Sequence, residues 1–225
     1  MGQTKTIMNK NIWIRFYFIL FHSLIISSLA YGEINEVYEI DSLYKIINSK
    51  KGTDKISTQL DIALKILVKH NEEALRMTNS AKLAAKASGN RNLEMRSYYT
   101  LGKIYTESSK NEISLAYLDT ALAISEAIKD NWNKGEILYQ VGVNKHRMGE
   151  ALQALESFNA SIQACRWSDN FKTAGSAYSV MGTIFRMNGM YDRAIEYNIK
   201  SKLNYEKADF IELGKAVISK FISPL

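Results

Sequence analysis

The chain has 225 residues, 46% of them hydrophobic and 23% charged, the balance of a folded globular protein rather than a disordered one. The lone proline, Pro224, leaves long helices unbroken and argues against an all-β fold, and the lone cysteine, Cys165, excludes an intramolecular disulfide and any cysteine-rich metal site. The net charge of +6 falls to +3 once residues 1–30 are set aside (26 basic residues against 23 acidic), which is weak support for nucleic-acid binding.

Residues 1–30 differ from the rest. Lys5, Lys10 and Arg15 precede "FYFILFHSLIISSLAYG", which is uncharged from Phe16 to Gly32. A basic start, an apolar run and small residues around Ala30 predict a signal peptide cleaved after Ala30. An uncleaved membrane anchor is the alternative, since the uncharged run approaches the length needed to span a bilayer. A soluble N-terminal helix is the third reading. The first two place the rest of the chain outside the cytoplasm, in the periplasm, secreted or anchored by its N-terminal segment.

Residues 31–94 read as a capping helix followed by a degenerate helix pair. Val37, Ile40, Leu43 (or Tyr44) and Ile47 give the cap an apolar stripe. "DKISTQLDIALKILVKH" and "HNEEALRMTNSAKLAAKASGN" form the pair. Its Ala74, Ala81 and Asn90 align with Ser114, Ala121 and Asp130 in the copy that follows.

From residue 95 to 214 the chain repeats itself three times without a gap. Gly102, Gly142 and Gly182 align, as do Leu101, Val141 and Met181, and Tyr98, Leu138 and Tyr178. The small residues Ala121, Ser161 and Ser201 share a second register. Each unit predicts a helix, a short turn at Ser109, Gly149 or Gly189, a longer second helix and a loop. A mid-helix glycine costs roughly 1 kcal/mol against alanine. Three in register therefore predict a place where the two helices of a pair approach closely. Residues 215–225 read as a truncated C-terminal helix, exposing Val217, Ile218, Phe221 and Ile222. Trp132 and Trp167 are expected to seal neighbouring pairs, since aromatic side chains dominate such packing.

"Tyr98-x2-Leu101-Gly102-x2-Tyr105" resembles the tetratricopeptide pattern W-x2-L-G-x2-Y, and "Ala154-x3-Phe158" resembles its A-x3-F element. Departures are Lys145 and Asn198 where aromatics are expected, Ser114 for alanine, the missing closing proline, and a period of 40 rather than 34. The resemblance implies an all-α fold, a right-handed α-solenoid of stacked antiparallel helix pairs. The order of parts is similar to the extracytoplasmic sensory half of Bacteroidetes-type sensor histidine kinases and related regulators.

No H-E-x-x-H, G-x-S-x-G or phosphate-binding loop occurs, and of three histidines two, His70 and His146, follow the N-terminal segment. No catalytic residue, metal or cofactor is therefore expected. The resemblance instead points to the concave groove lined by the first helices, with Tyr99, Lys103, Tyr139, His146, Arg147 and Arg186 as candidate binding residues. Thr106, Val143, Ser179 and Thr183 lie on the same expected face. Tyrosines beside cations suit an extended peptide or a protein partner, rings on apolar side chains and cations on carboxylates. The expected function is non-enzymatic binding, as the sensory part of a signalling system. The alternative is an envelope scaffold or oligomerisation module with no groove ligand.

Overall fold

A computed structural model describes residues 39–208, and the expectations for residues 1–30 and 215–225 fall outside them. The chain divides at Lys50 into two compact units. The described part of the first holds one helix, α1, at 39–48, whose last turn is closed by the Ser49 N–H on the Lys45 carbonyl at 3.0 Å.

The second unit is helical throughout its described residues, in the order α2 (Gly52–Ile66), α3 (Asn71–Ala87), α4 (Arg91–Glu107), α5 (Asn111–Ala127), α6 (Asn131–Arg147), α7 (Ala151–Arg166), α8 (Phe171–Met187) and α9 (Tyr191–Lys207). The pairs α4/α5, α6/α7 and α8/α9 are the three aligned copies. The two helices of a pair are of nearly equal length: 17 residues each, with 16 in α7. The full period is thus two equal half-periods, and the second helix is not the longer one.

The half-period is set by one joint used again and again. Gly89, Ser109, Lys129, Gly149, Asp169 and Gly189 all have φ between 55 and 80°. Each follows a helix end. After all of them but Gly89 the next N–H bonds back into the last turn, as in Lys110 N–H to Tyr105 O and Glu150 N–H to Lys145 O, both at 2.9 Å. That is a Schellman ending, in which a left-handed residue turns the chain and satisfies orphan carbonyls. Short joints of this kind leave successive helices antiparallel. The first helices start on side-chain caps: Asn90, Asp130 and Asn170 accept from the N–H groups of Leu93, Asn133 and Thr173, at 3.1, 3.0 and 3.2 Å. The second helices start at Lys110, Glu150 and Met190 without one.

Packing within a pair turns on the aligned glycines. A Cβ on Gly102 would lie 2.6 Å from Leu118 Cδ2, one on Gly142 2.6 Å from Phe158 Cε1, and one on Gly182 2.7 Å from Asn198 Oδ1. Each glycine is a notch that receives a side chain from the second helix of its own pair. One contact up the pair, size is exchanged across the interface. Met95 is buried in the first copy with the small Ala121. Gly135 abuts Cys165 in the second, and Gly175 abuts Tyr205 in the third. Ser161 and Ser201 donate to the carbonyls of Gly135 and Gly175 at 2.7 and 2.8 Å, tying the two helices together. Cys165 is buried there, and burial pushes its thiol up to about 11. It packs as a small hydrophobe rather than as a nucleophile.

The aromatic positions behave differently among copies. Tyr98 and Tyr105 meet Tyr117 in the first copy, with ring centroids 6.3 and 5.4 Å apart. Tyr178 and Phe185 meet Tyr197 in the third, at 6.0 and 4.9 Å. In the second copy Lys145 stands in this register and pairs instead with Glu150 at 2.7 Å. Trp132 and Trp167 do not seal the pairs as expected. Trp167 caps the end of α7 and is 83% exposed, and Trp132 lies in the first turn of α6, half exposed.

Candidate functional site

The first helices α2, α4, α6 and α8 are near neighbours of one another, and polar side chains bridge them in sequence. Arg96 of α4 donates to Asp61 at 2.6 Å and to Ser57 at 2.9 Å, both on α2. Thr106 of α4 accepts from Asn144 Nδ2 of α6 at 2.9 Å. Arg147 of α6 donates to the Thr106 carbonyl at 2.5 Å and faces Glu107 at 3.6 Å.

At the centre of this face stands Glu136 of α6, in the register position of Arg96. The Tyr99 hydroxyl reaches it from α4, and the Asn170 amide from the start of α8. Burial raises the Glu136 carboxyl above its ordinary value, against the opposing pull of Lys103, Lys172 and the Asn170 hydrogen bond. Burial also holds the Tyr99 hydroxyl well above the usual phenol range, and the neighbouring Glu136 charge adds to it. Lys103 sits with its ammonium 5.8 Å from the centroid of the Tyr99 ring.

Of the six residues expected from sequence, Tyr99 and Lys103 come together on α4 at this centre. Tyr139 is half-buried on α6 with its ring 5.8 Å from Phe158. Burial raises its hydroxyl, Tyr205 adds to this, and Arg147 opposes it. His146 and Arg147 occupy the last turn of α6, and Arg186 the exposed last turn of α8. Thr106 is not presented to a ligand: it is fully buried and bonded to Gly102 O, Ser114 and Asn144. Val143 is half-buried against the core of the second and third copies. Thr183 bonds to the Ser179 carbonyl of its own helix at 3.2 Å.

Glu136, Asn170 and Lys172 were not among the residues expected from sequence. The signal for Glu136 was the repeat register itself, in which Arg96, Glu136 and Ser176 share a position. Asn170 shares the loop register of Asp130, a position that marks a turn and gives no sign of a partner in that carboxylate. Among the described residues, no group of His, Cys, Asp and Glu is arranged to hold a metal ion.

No family model matches the chain. The regulatory protein RapG of Bacillus subtilis (strain 168) is 25% identical over 109 residues, which is 48% of this chain and 30% of RapG. Among solved structures, aspartyl phosphate phosphatase F from Bacillus subtilis superposes with a TM-score of 0.69 at 18% identity, over 80% of this chain and 49% of that one. The apo form of the quorum sensor NprR from B. thuringiensis gives 0.57 at 19%, over 81% of this chain and 57% of NprR. BtubC (BKLC) from P. vanneervenii gives 0.53 at 14%, over 75% of this chain and 77% of that one. The chain thus spans less than a third of RapG and about half of the phosphatase F chain. These likenesses establish the tetratricopeptide-like solenoid. They do not extend to the sensor-kinase kinship expected from the order of parts.

Export is corrected. The Rap and NprR regulators that the chain resembles are cytoplasmic, which contradicts the periplasmic, secreted or anchored placement read from residues 1–30. No described helix is long and apolar enough to cross a membrane. The apolar run is a hydropathy pattern, and hydropathy alone does not separate a targeting segment from an apolar helix that packs on protein.

Proposed function

We propose that the chain is a non-enzymatic regulatory module that binds a peptide or a protein partner on the face of its first helices. The observation that carries this reading is the convergence of Tyr99, Lys103, Glu136 and Tyr139 from consecutive helices onto one face, where rings, cations and a carboxylate stand together. Tyr99 and Tyr139 offer ring surface to apolar side chains of the ligand. Lys103, Arg147, His146 and Arg186 offer donors to its carboxylates and carbonyls. Lys103 and Arg147 keep donors beyond those already engaged, since an ammonium has three and a guanidinium five. The names of the similar proteins, a regulatory protein and a quorum sensor, support a place in signal transduction.

Panning the full chain against a displayed library of random heptapeptides tests this. Enriched peptides are expected to bind at least about tenfold more weakly, a difference of roughly 1.4 kcal/mol, when Lys103→Glu or Tyr139→Ala is introduced and thermal melting shows the fold retained. No enrichment, or enrichment indifferent to both substitutions, overturns the proposal.

A further inference from the structure

The joint between α7 and α8 is open where its counterpart one copy earlier is bridged. Between α5 and α6, Lys134 reaches back across the joint to Glu126 at 2.7 Å. In the next copy the same two positions are Ala174 and Arg166. The lysine has lost its long side chain and the acid has become a cation, so that ion pair has no equivalent. Both residues instead line a cavity of about 140 Å³, walled by the ends of α7 and α9 and the first turns of α8. None of Tyr99, Lys103, Glu136 and Tyr139 lines it.

Its wall has two kinds of surface. Ile162, Ala174 and Tyr178 are buried and give it a largely apolar interior. Arg166 and Lys207 are exposed and stand at the mouth. Neither forms an ion pair among the described residues, and the Lys207 ammonium lies 5.5 Å from the centroid of the Phe171 ring. Asn204 gives one amide hydrogen to the Lys200 carbonyl at 2.8 Å and keeps a second. No carboxylate side chain lines the cavity. Arg166 and Lys207 each lie in the last turn of a helix, where a cation suits the helix dipole. That accounts for the sign of both charges but not for the space they border.

We propose that this cavity binds a small organic acid, a carboxylate on a compact apolar body. The cavity sets the size of the body, since a space of this order receives a single benzene ring in a protein interior. The body rests on Ile162, Ala174 and Tyr178, where its apolar surface leaves water. The carboxylate stays at the mouth, where the Arg166 guanidinium offers two parallel donors and Lys207 an ammonium. Charge selects among ligands of one size: an amine is repelled by both cations, and a neutral molecule gains nothing from either. The same chemistry has two sources, a free acid and the C-terminal residue of a peptide.

Calorimetric titration of the full chain with benzoate tests the proposal. Benzoate is expected to bind with a dissociation constant of about a millimolar or below, and benzyl alcohol, of like size but uncharged, at least about tenfold more weakly. Arg166→Glu, at an exposed position, is expected to keep the melt and to weaken benzoate at least about tenfold. Joining Ala174→Lys to Arg166→Glu rebuilds the ion pair of the preceding joint and is expected to abolish binding; Arg166→Glu alone decides if the double variant does not fold. N-acetylphenylalanine carries the ring and the carboxylate as a peptide end. Binding as tight as that of benzoate assigns the site to a peptide C-terminus, and weaker binding assigns it to a free acid. Absence of benzoate binding overturns the proposal, and so does benzoate binding that Arg166→Glu and the double variant leave unchanged.

Discussion

In the pair α6/α7 the notch at Gly142 is filled by the ring of Phe158, which is wholly buried. In the pair α8/α9 the same notch, at Gly182, receives Asn198, whose Nδ2 bonds to the Ala194 carbonyl at 2.7 Å while Oδ1 has no partner. One register position thus holds a large apolar side chain in one pair and a half-satisfied amide in the next. An unpaired buried acceptor forfeits its hydration without return. The backbone plan tolerates this because helix length, joint geometry and the glycine notch are unchanged. What differs is the stabilisation each contact contributes.

The comparison can be broken by exchanging its contents. Phe158→Asn is expected to cost about 4 kcal/mol, the loss of a buried ring plus an unsatisfied amide, read from denaturant unfolding. Gly142→Leu comes next, at about 3 kcal/mol, because the first side-chain carbon already collides with the Phe158 ring at 2.6 Å. A melt equal to that of the parent would remove the notch as an explanation. In the opposite direction, Asn198→Leu reproduces the contact of Leu118 with Gly102 and is expected to gain about 1 kcal/mol. Failure to gain would mean that the Oδ1 of Asn198 is satisfied in solution.

Smaller effects lie at the joints and on the binding face. Lys129 and Asp169 adopt φ of 57 and 55° where Gly149 and Gly189 serve the pairs themselves. Lys129→Gly is expected to gain about 0.5 kcal/mol, relief of left-handed strain less the added freedom of the unfolded chain. Asp169→Gly should gain less, since a short polar side chain tolerates that conformation. Thermal melts of the two variants side by side check the order.

Glu136 is raised in the folded state, so the native protein holds its proton more tightly than the unfolded chain does. Stability from this group is present below the unfolded carboxylate pKa and is lost as pH rises through the folded one. Glu136→Gln should therefore melt slightly higher than the parent at pH 7, with the gap closing as pH falls into the carboxylate range. A gap that widens on acidification contradicts the burial of that carboxyl.

The reach of the sequence differs by feature. The glycine notches were legible because three copies repeat them at one spacing, and a costly residue repeated in register has to have a packing reason. Tyr99 and Lys103 were placed on one side of their helix by the orientation the glycine supplies, whereas the burial of the Tyr99 hydroxyl beside Glu136 was not legible. Thr106 was misplaced on the same face because a hydroxyl one turn along reads as polar and solvated, when its bonds to Gly102 O, Ser114 and Asn144 bury it. The tryptophans were misread for the opposite reason: large apolar residues near joints suggest burial, and only the path of α7 leaves Trp167 in solvent.

Periodicity, the single proline and the recurring glycines determined the helices and their pairing, because these are local properties: an apolar stripe at the helical repeat, a left-handed joint, a backbone notch. Which side chains meet across consecutive first helices is not local. Glu136 draws Tyr99 from the preceding pair and Asn170 from the start of the next, and its raised carboxyl depends on the water that stacking removes.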